Sequence, residues 1–237
     1  MDGGKLESAW RARYDRWASQ LELEHQIAGW SEEGLSRRLA LVLRALQKTH
    51  LKPGSTVLDL GAGPGTYTRA LSLRGYRCFG LDYSRNVIKI AKSKDTDGSY
   101  LQGEAYHLPF HDRYFDALLC VGVLQSLESI GQGMREMQRV LKPGGYLLLD
   151  GLNSLFWLHT LRALQESLKG LEKRMSYYSP YHLTQEMARM GLNDAEIYWL
   201  TAPASVQSWF SVGKGGGSPL LSRFFGYAFL LVARKSS

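Results

Sequence analysis

Residues 57–66 read VLDLGAGPGT, an apolar run that breaks into glycines and then into a helical stretch. Gly61, Gly63 and Gly65 stand at every second position, and Asp59 lies inside the end of the apolar run. Glycines let a backbone turn sharply and come close to a ligand with no Cβ in the way. A helix opening just beyond such a turn offers free N–H groups. The pattern therefore suits a nucleotide-like ligand. Dinucleotide sites use the differently spaced G-x-G-x-x-G on a pyrophosphate. Asp59 accepts hydrogen bonds from backbone amides or meets an ammonium group, so a phosphate-free ligand with a cationic amino-acid part suits this turn better. Asp82, at the tip of the next apolar run, follows Gly63 by 19 residues. A carboxylate there is placed to hold two vicinal ribose hydroxyls. It could instead cap the helix that begins near Ser84, but its distance behind the glycine turn favours ribose.

The surrounding pattern must position these groups. Residues 5–28 look helical, with Trp10, Tyr14, Trp17 and Leu21 at helical spacing and Gly29 as a stop. Ser31 opens a second helix, with Glu32 and Glu33 in its first turn. Its body, about 34–50, carries Leu35, Leu39, Val42, Leu43 and Leu46 on one face, and Pro53-Gly54 closes it. Short apolar runs at 56–60, 77–81, 99–101, 116–121 and 146–150 then alternate with helical stretches at 66–74, 84–94 and 129–141. This alternation predicts right-handed crossovers and a parallel sheet covered on both faces. Beyond 151, helices are expected at 154–168 and 180–190, and strands at 192–200 and 224–233. The connection 201–223 between those strands is long for a compact domain.

Three further segments follow the glycine turn in order: QGEAYHLPF at 102–110, YFDALLC at 114–120 and VLKPGGY at 140–146. With residues 57–66 and Asp82, they resemble class I S-adenosylmethionine-dependent methyltransferases, in particular the small-molecule branch that includes the ubiquinone/menaquinone C-methyltransferases and natural-product methyltransferases. The resemblance covers residues 50–150 well and the rest loosely. It implies an α/β fold: a Rossmann-like, seven-stranded, mostly parallel sheet with helices on both faces and an antiparallel last strand. It implies a helical cap over 1–50 and a methyltransferase core over 51–237, with substrate-cap segments at 151–182 and 201–223. It implies S-adenosylmethionine as cofactor, held by Asp59, Gly61, Ala62, Gly63, Asp82, Tyr83, Glu104, Ala105 and Val121. Glu104 and Ala105 would meet the adenine, with Glu in place of the commoner Asp. Residues 140–146 would shape the fold and do no chemistry.

The family's strand-four segment often ends V-L-H-H-L, whereas this chain has VLQSL at 123–127. Gln125 and Ser126 replace two histidines, so no imidazole role is carried over. Residues 13–18, RYDRWA, are similar to the family's Y-D-x-x-A element, which often closes over the cofactor. Tyr14 and Trp17 would face the sulfonium, or would pack as an aromatic stripe on the core. No general base stands out. His107, His111, His159 and His182, with Tyr177, Tyr178 and Tyr181 nearby, are candidates without a supporting constellation.

The expected reaction is in-line methyl transfer to a small molecule. Trp10, Trp17, Trp30, Phe156, Trp157, Tyr177, Tyr178, Trp209 and Phe210 would suit an apolar or aromatic acceptor. The alternatives are an RNA or protein methyltransferase and a non-catalytic cofactor-binding protein. The net charge of +7 permits an acidic partner. Its basic clusters are short (Arg37-Arg38, Lys173-Arg174) and read as solvated surface, so no nucleic-acid partner is expected. No metal site is expected. Cys78 and Cys120 read as buried strand residues in a reducing cytoplasm. The N-terminus lacks a secretory apolar region and no run is long enough to span a bilayer, so a cytoplasmic monomer or homodimer is expected.

Overall fold

The computed structural model describes residues 5–169, 175–201 and 226–236. The expected cap segment at 201–223, with Trp209, Phe210 and the glycine cluster 213–217, falls outside the described residues except for Thr201. Lys173 and Arg174 also fall outside them.

Three helices come first: α1 (Lys5–Gln20), α2 (Glu24–Ile27) and α3 (Glu32–Leu46). The single helix expected over 5–28 is broken at residues 21–23. Leu21 N makes its bond back to Trp17 O, and a new turn starts from Leu23 O. The break lets Glu24 reach Thr66, Arg69 and Lys94, contacts that no local pattern reveals. Ser31 does cap α3, accepting from Gly34 N at 3.0 Å.

A regular alternation follows: β1 (Thr56–Leu60), α4 (Thr66–Ser72), β2 (Arg77–Asp82), α5 (Arg85–Lys94), β3 (Ser99–Gln102), β4 (Phe115–Cys120), α6 (Ile130–Val140) and β5 (Leu141–Leu152). The chain closes with α7 (Trp157–Leu168), α8 (Pro180–Arg189), β6 (Leu192–Thr201) and β7 (Gly226–Lys235). The seven strands form one sheet in the order β3-β2-β1-β4-β5-β7-β6. Neighbours from β3 to β5 are parallel, and β7 runs antiparallel to both β5 and β6. The sheet is the expected Rossmann-like one, closed by an antiparallel last strand.

Side chains alternate across the strands and so build two cores. Leu58, Leu118 and Leu147 pack with Met134 and Met137 of α6 and with Leu183 and Met187 of α8. Val57, Ala117 and Leu148 face the other way, against Val42 and Leu46 of α3 and Tyr67 and Leu71 of α4. Helices thus cover both faces, which is why the strands read as continuous apolar runs. β5 begins earlier than expected because Leu141 already pairs with Phe115; residues 142–145 then bulge before Tyr146 rejoins opposite Ala117. Cys78 and Cys120 are buried and free. Arg38 departs from the solvated reading: it is 3% exposed and ion-paired with Asp150 at 3.3 Å.

Strand order reverses between β1 and β4. In open α/β sheets, ligands bind in the crevice beyond the strand carboxyl ends at such a point. The glycine turn after β1 and the segment 121–127 after β4 flank it.

Candidate functional site

The turn after β1 is locked from three directions. Gly61 N and Ala62 N both donate to Leu81 O, at 2.7 and 3.0 Å, tying the turn to the end of β2. Gly61 has φ +75°, and a Cβ there would lie 2.1 Å from Val123 Cγ2. Only glycine lets β1 and the 121–127 segment approach this closely. Asp59 is buried beneath the turn, where Oδ2 accepts from Thr68 N at 3.0 Å and Thr68 Oγ1 at 2.7 Å. It fastens the first turn of α4 to β1, satisfying a donor that the helix itself leaves free. Burial pushes its carboxyl up to about 6.

Asp82 crosses the mouth of the turn. Its Oδ2 accepts from Gly63 N at 3.0 Å and its Oδ1 from Ser84 N at 2.9 Å. Burial pushes its pKa up against the pull of these amide bonds. Ser84, not Asp82, caps α5, accepting from Val87 N. Gly63 has φ +54° and nothing within 4 Å of its would-be Cβ, so its outer side opens onto free space.

This space is a cleft that opens to solvent. Nine of the ten residues expected at the cofactor line it: Gly61, Ala62, Gly63, Asp82, Tyr83, Glu104, Ala105, Val121 and Tyr14. Asp59 does not; both its described hydrogen bonds serve α4. The cleft roof is α1. Tyr14 sits edge-on to Tyr83 with ring centroids 6.2 Å apart and stacks on Trp10 at 5.6 Å. Burial and the Asp82 carboxylate hold the Tyr14 phenol well above its ordinary pKa. Arg11 donates to Glu104 at 2.7 Å, and its guanidinium lies 4.9 Å from the Tyr83 ring centre. Ser84 Oγ donates to Asp15 at 2.6 Å, which anchors the roof to the floor. Trp17 stands off the cleft, against Gly29 and Tyr14.

Beyond β4, Gly122 N donates to Asp150 Oδ1 at 2.7 Å. Gln125 Nε2 donates to Gly122 O, and Ser126 Oγ to Val123 O, each at 2.7 Å. The two residues that replace the family's histidines thus hold a 3-10 turn, Leu124–Ser126, in place. Ser126 lines the cleft and Gln125 does not.

The expected bases do not gather there. His107, His111 and His182 are exposed, and no candidate histidine lines the cleft. His159 stands beside Tyr177 at a second pocket. Tyr178 donates to Leu124 O. Sequence reasoning did not place Arg11 or Tyr67 in the site. The signal for Arg11 was present, since Glu7, Trp10, Arg11 and Tyr14 share one face of α1 by their spacing. Among the described residues, no cluster of His, Cys, Asp and Glu is placed to hold a metal ion.

The charges on the cleft wall select among nucleotide ligands. Its lining carries three carboxylates, Glu7, Asp82 and Glu104, and one basic side chain, Arg11, which is paired with Glu7 and Glu104. A pyrophosphate would meet net negative charge. A cationic, phosphate-free nucleoside would meet carboxylates and the rings of Trp10, Tyr14, Trp30 and Tyr67. The Tyr67 and Tyr83 hydroxyls are buried with no hydrogen-bond partner among the described residues, so polar capacity remains on this wall.

A switch-point cleft with an acidic second strand tip, in a Rossmann-like sheet, suits a nucleoside ligand. Residues 58–149 match the family model described as a methyltransferase domain. The chain is 34% identical over 134 residues to a demethylmenaquinone methyltransferase of Corynebacterium glutamicum, covering 56% of this chain and 55% of that protein. It is 32% identical over 157 residues to a ubiquinone/menaquinone biosynthesis C-methyltransferase of Vibrio parahaemolyticus, covering 62% and 56%. The chain thus spans little more than half the length of these curated relatives. Among solved structures, a chain from the complex between the Haloferax volcanii Trm112 activator and a putative methyltransferase superposes with TM-score 0.68 at 25% identity, covering 94% of this chain and 98% of that one.

Proposed function

We propose that this protein transfers the methyl group of S-adenosylmethionine to an apolar or aromatic small molecule. The observation that carries the reading is the Asp82 carboxylate at the mouth of the glycine turn, hydrogen-bonded to Gly63 N, in a cleft of net negative, aromatic lining. Asp82 would hold the ribose hydroxyls, and the turn 61–63 would take the amino-acid part. Glu104 and Ala105 would meet the adenine, with Tyr83 beside it and Glu104 exchanging its Arg11 partner for the base. Val121 and Tyr14 would border the sulfonium end. Asp59 would serve one step back, by holding α4 to the turn.

The bound cofactor supplies an activated methyl group, so it carries the difficult chemistry itself. The chain's task is to orient the reactants and exclude water. The roof formed by α1 suits that task, because Trp10 and Tyr14 close the cleft with apolar surface. Residues 1–50 would act as a cap on a core of 51–237.

Two relatives named for menaquinone and ubiquinone biosynthesis support a ring-bearing acceptor. No helix among the described residues is long and apolar enough to cross a membrane. A cytoplasmic monomer or homodimer is part of this proposal. The test is incubation of the purified chain with methyl-tritiated S-adenosylmethionine and a cell lysate, then fractionation. Label in the organic-soluble small molecules is expected. Label confined to RNA or protein would point to the other acceptor classes, and cofactor binding without transfer would point to a non-catalytic binder.

A further inference from the structure

A surface helix ordinarily turns its apolar stripe to the core and its polar face to water. α7 does the reverse. Leu158, Leu161, Leu164 and Leu168 follow one another at steps of three, three and four residues, so they share one face. They are 40, 53, 55 and 79% exposed, and Leu155, just ahead of the helix, is 41% exposed. Among the described residues nine large apolar side chains stand exposed, and these are five of them, so they form a patch and not scatter.

The polar side of the helix is what faces the protein. His159 Nδ1 lies 2.9 Å from Asn153 O. Its ring stacks on Tyr177 at 4.5 Å and meets Phe156 edge-on at 4.9 Å. Glu166 is seven residues further on, and therefore on the same side. Its side chain is 13% exposed and faces Arg162 at 3.6 Å. Imidazole and carboxylate thus hold α7 in place, and the leucines are left to the solvent.

The charges around the leucine row indicate what covers it. Its borders are Thr160, Gln165 and Ser167, all exposed and uncharged. Arg162 and Glu166 offset each other, so Trp157–Leu168 carries no net charge with His159 neutral. An anionic lipid surface needs Lys or Arg along the apolar border, and here Lys169 stands past the last turn. A neutral row with uncharged borders complements a second row of the same kind. Leu161, Leu164 and Leu168 also recur at three and then four residues, the spacing at which paired helices interlock.

We propose that α7 is a self-association surface, on which two copies of this chain pack leucine row against leucine row about a two-fold axis. Each copy offers the same patch, as an isologous pair requires. Leu158 and His159 also line the pocket beside Trp30 and Tyr227, so the second copy stands at the rim of that pocket. The net charge of +7 on each copy opposes the pairing at long range, and added salt screens it. The proposal does not depend on which ligand the main cleft takes.

The test is sedimentation of the whole chain over a wide concentration range. The small area of a 12-residue helix pair predicts a dissociation constant on the order of tens of micromolar. Raising sodium chloride from about 50 to about 500 mM should tighten it severalfold. The double variant Leu161→Gln/Leu164→Gln changes exposed side chains and should melt like the wild type. It should weaken association by at least about a hundredfold, because four leucines leave the paired interface. Leu73→Gln, 87% exposed but on another surface, should leave association unchanged. The proposal is overturned if the wild type sediments as a monomer up to about 500 μM, well above the expected range. It is equally overturned if the double variant associates like the wild type, if Leu73→Gln weakens association as much, or if salt loosens the pair. Flotation of the monomer with phosphatidylglycerol vesicles, lost in the double variant, would assign the row to a lipid surface instead.

Discussion

Replacing Asp82 with Asn alters one atom and separates two contributions of the carboxylate. In the wild type each oxygen accepts one backbone amide, Gly63 N at 3.0 Å and Ser84 N at 2.9 Å. The amide side chain has one oxygen, so its NH₂ must face one of those N–H donors. A buried donor left unmatched costs about 1–3 kcal/mol of stability. A ribose hydroxyl that hydrogen-bonds to an ionised acceptor gains about 1.5–3 kcal/mol. Its loss predicts cofactor binding weaker by roughly 10- to 150-fold. Asp82→Ala removes the acceptor altogether and should abolish measurable binding. The assay is calorimetric titration with S-adenosylhomocysteine, beside urea melts that show each variant folded. A folded Asp82→Ala protein that binds as tightly as wild type would refute the ribose assignment.

The glycine turn should respond unevenly to added methyl groups. Gly63→Ala adds no contact and should cost only the left-handed backbone penalty of about 1–2 kcal/mol, yet weaken S-adenosylhomocysteine binding by crowding the open side. Gly61→Ala collides with Val123 and should destabilise further; equal losses in thermal melts would contradict this. Asp59 titrates near 6 in the fold against 3.8 when unfolded. The folded state holds that proton more tightly, so its stabilisation is full below about pH 3.8 and is lost as pH rises through 6. Relative to Asp59→Asn, the wild type should lose up to about 3 kcal/mol across that window; parallel pH profiles in denaturant melts would refute it. Arg38→Met leaves the Asp150 carboxylate buried with its Gly122 bond but no counter-charge. It should cost about 3–5 kcal/mol in urea, and a loss under about 1 kcal/mol would contradict the buried pair.

How far the sequence could be read tracks how local the signal was. β1 was legible to the residue, because a buried parallel strand is an unbroken apolar run ended by glycine. The Ser31 cap was legible because its partner Gly34 is three residues away. The break after α1 was not, because Leu21 continues the helical spacing of Trp10, Tyr14 and Trp17, and the partners of Glu24, Arg69 and Lys94, are tertiary. In the site, Asp82 and Glu104 stood at fixed distances behind the glycine turn and could be placed on the cleft. Asp59 was placed beside the ligand, whereas its described hydrogen bonds turn away to Thr68; sequence order does not say which side of a strand a carboxylate faces. Arg38 looked like half of a surface pair, and only the fold brings Asp150, 112 residues on, beneath it. His159 gained a setting for the same reason, when α7 was laid beside Trp30 and Tyr227.

The central claim is that the cleft beyond β1 and β4 delivers a methyl group from S-adenosylmethionine to a small molecule. Its most direct test is transfer of tritium from methyl-labelled S-adenosylmethionine, with wild type and Asp82→Ala run side by side on the same lysate. The account predicts label in the organic-soluble small-molecule fraction for the wild type and none for the variant. Label that appears only in RNA or protein, or that persists undiminished in Asp82→Ala, would contradict it.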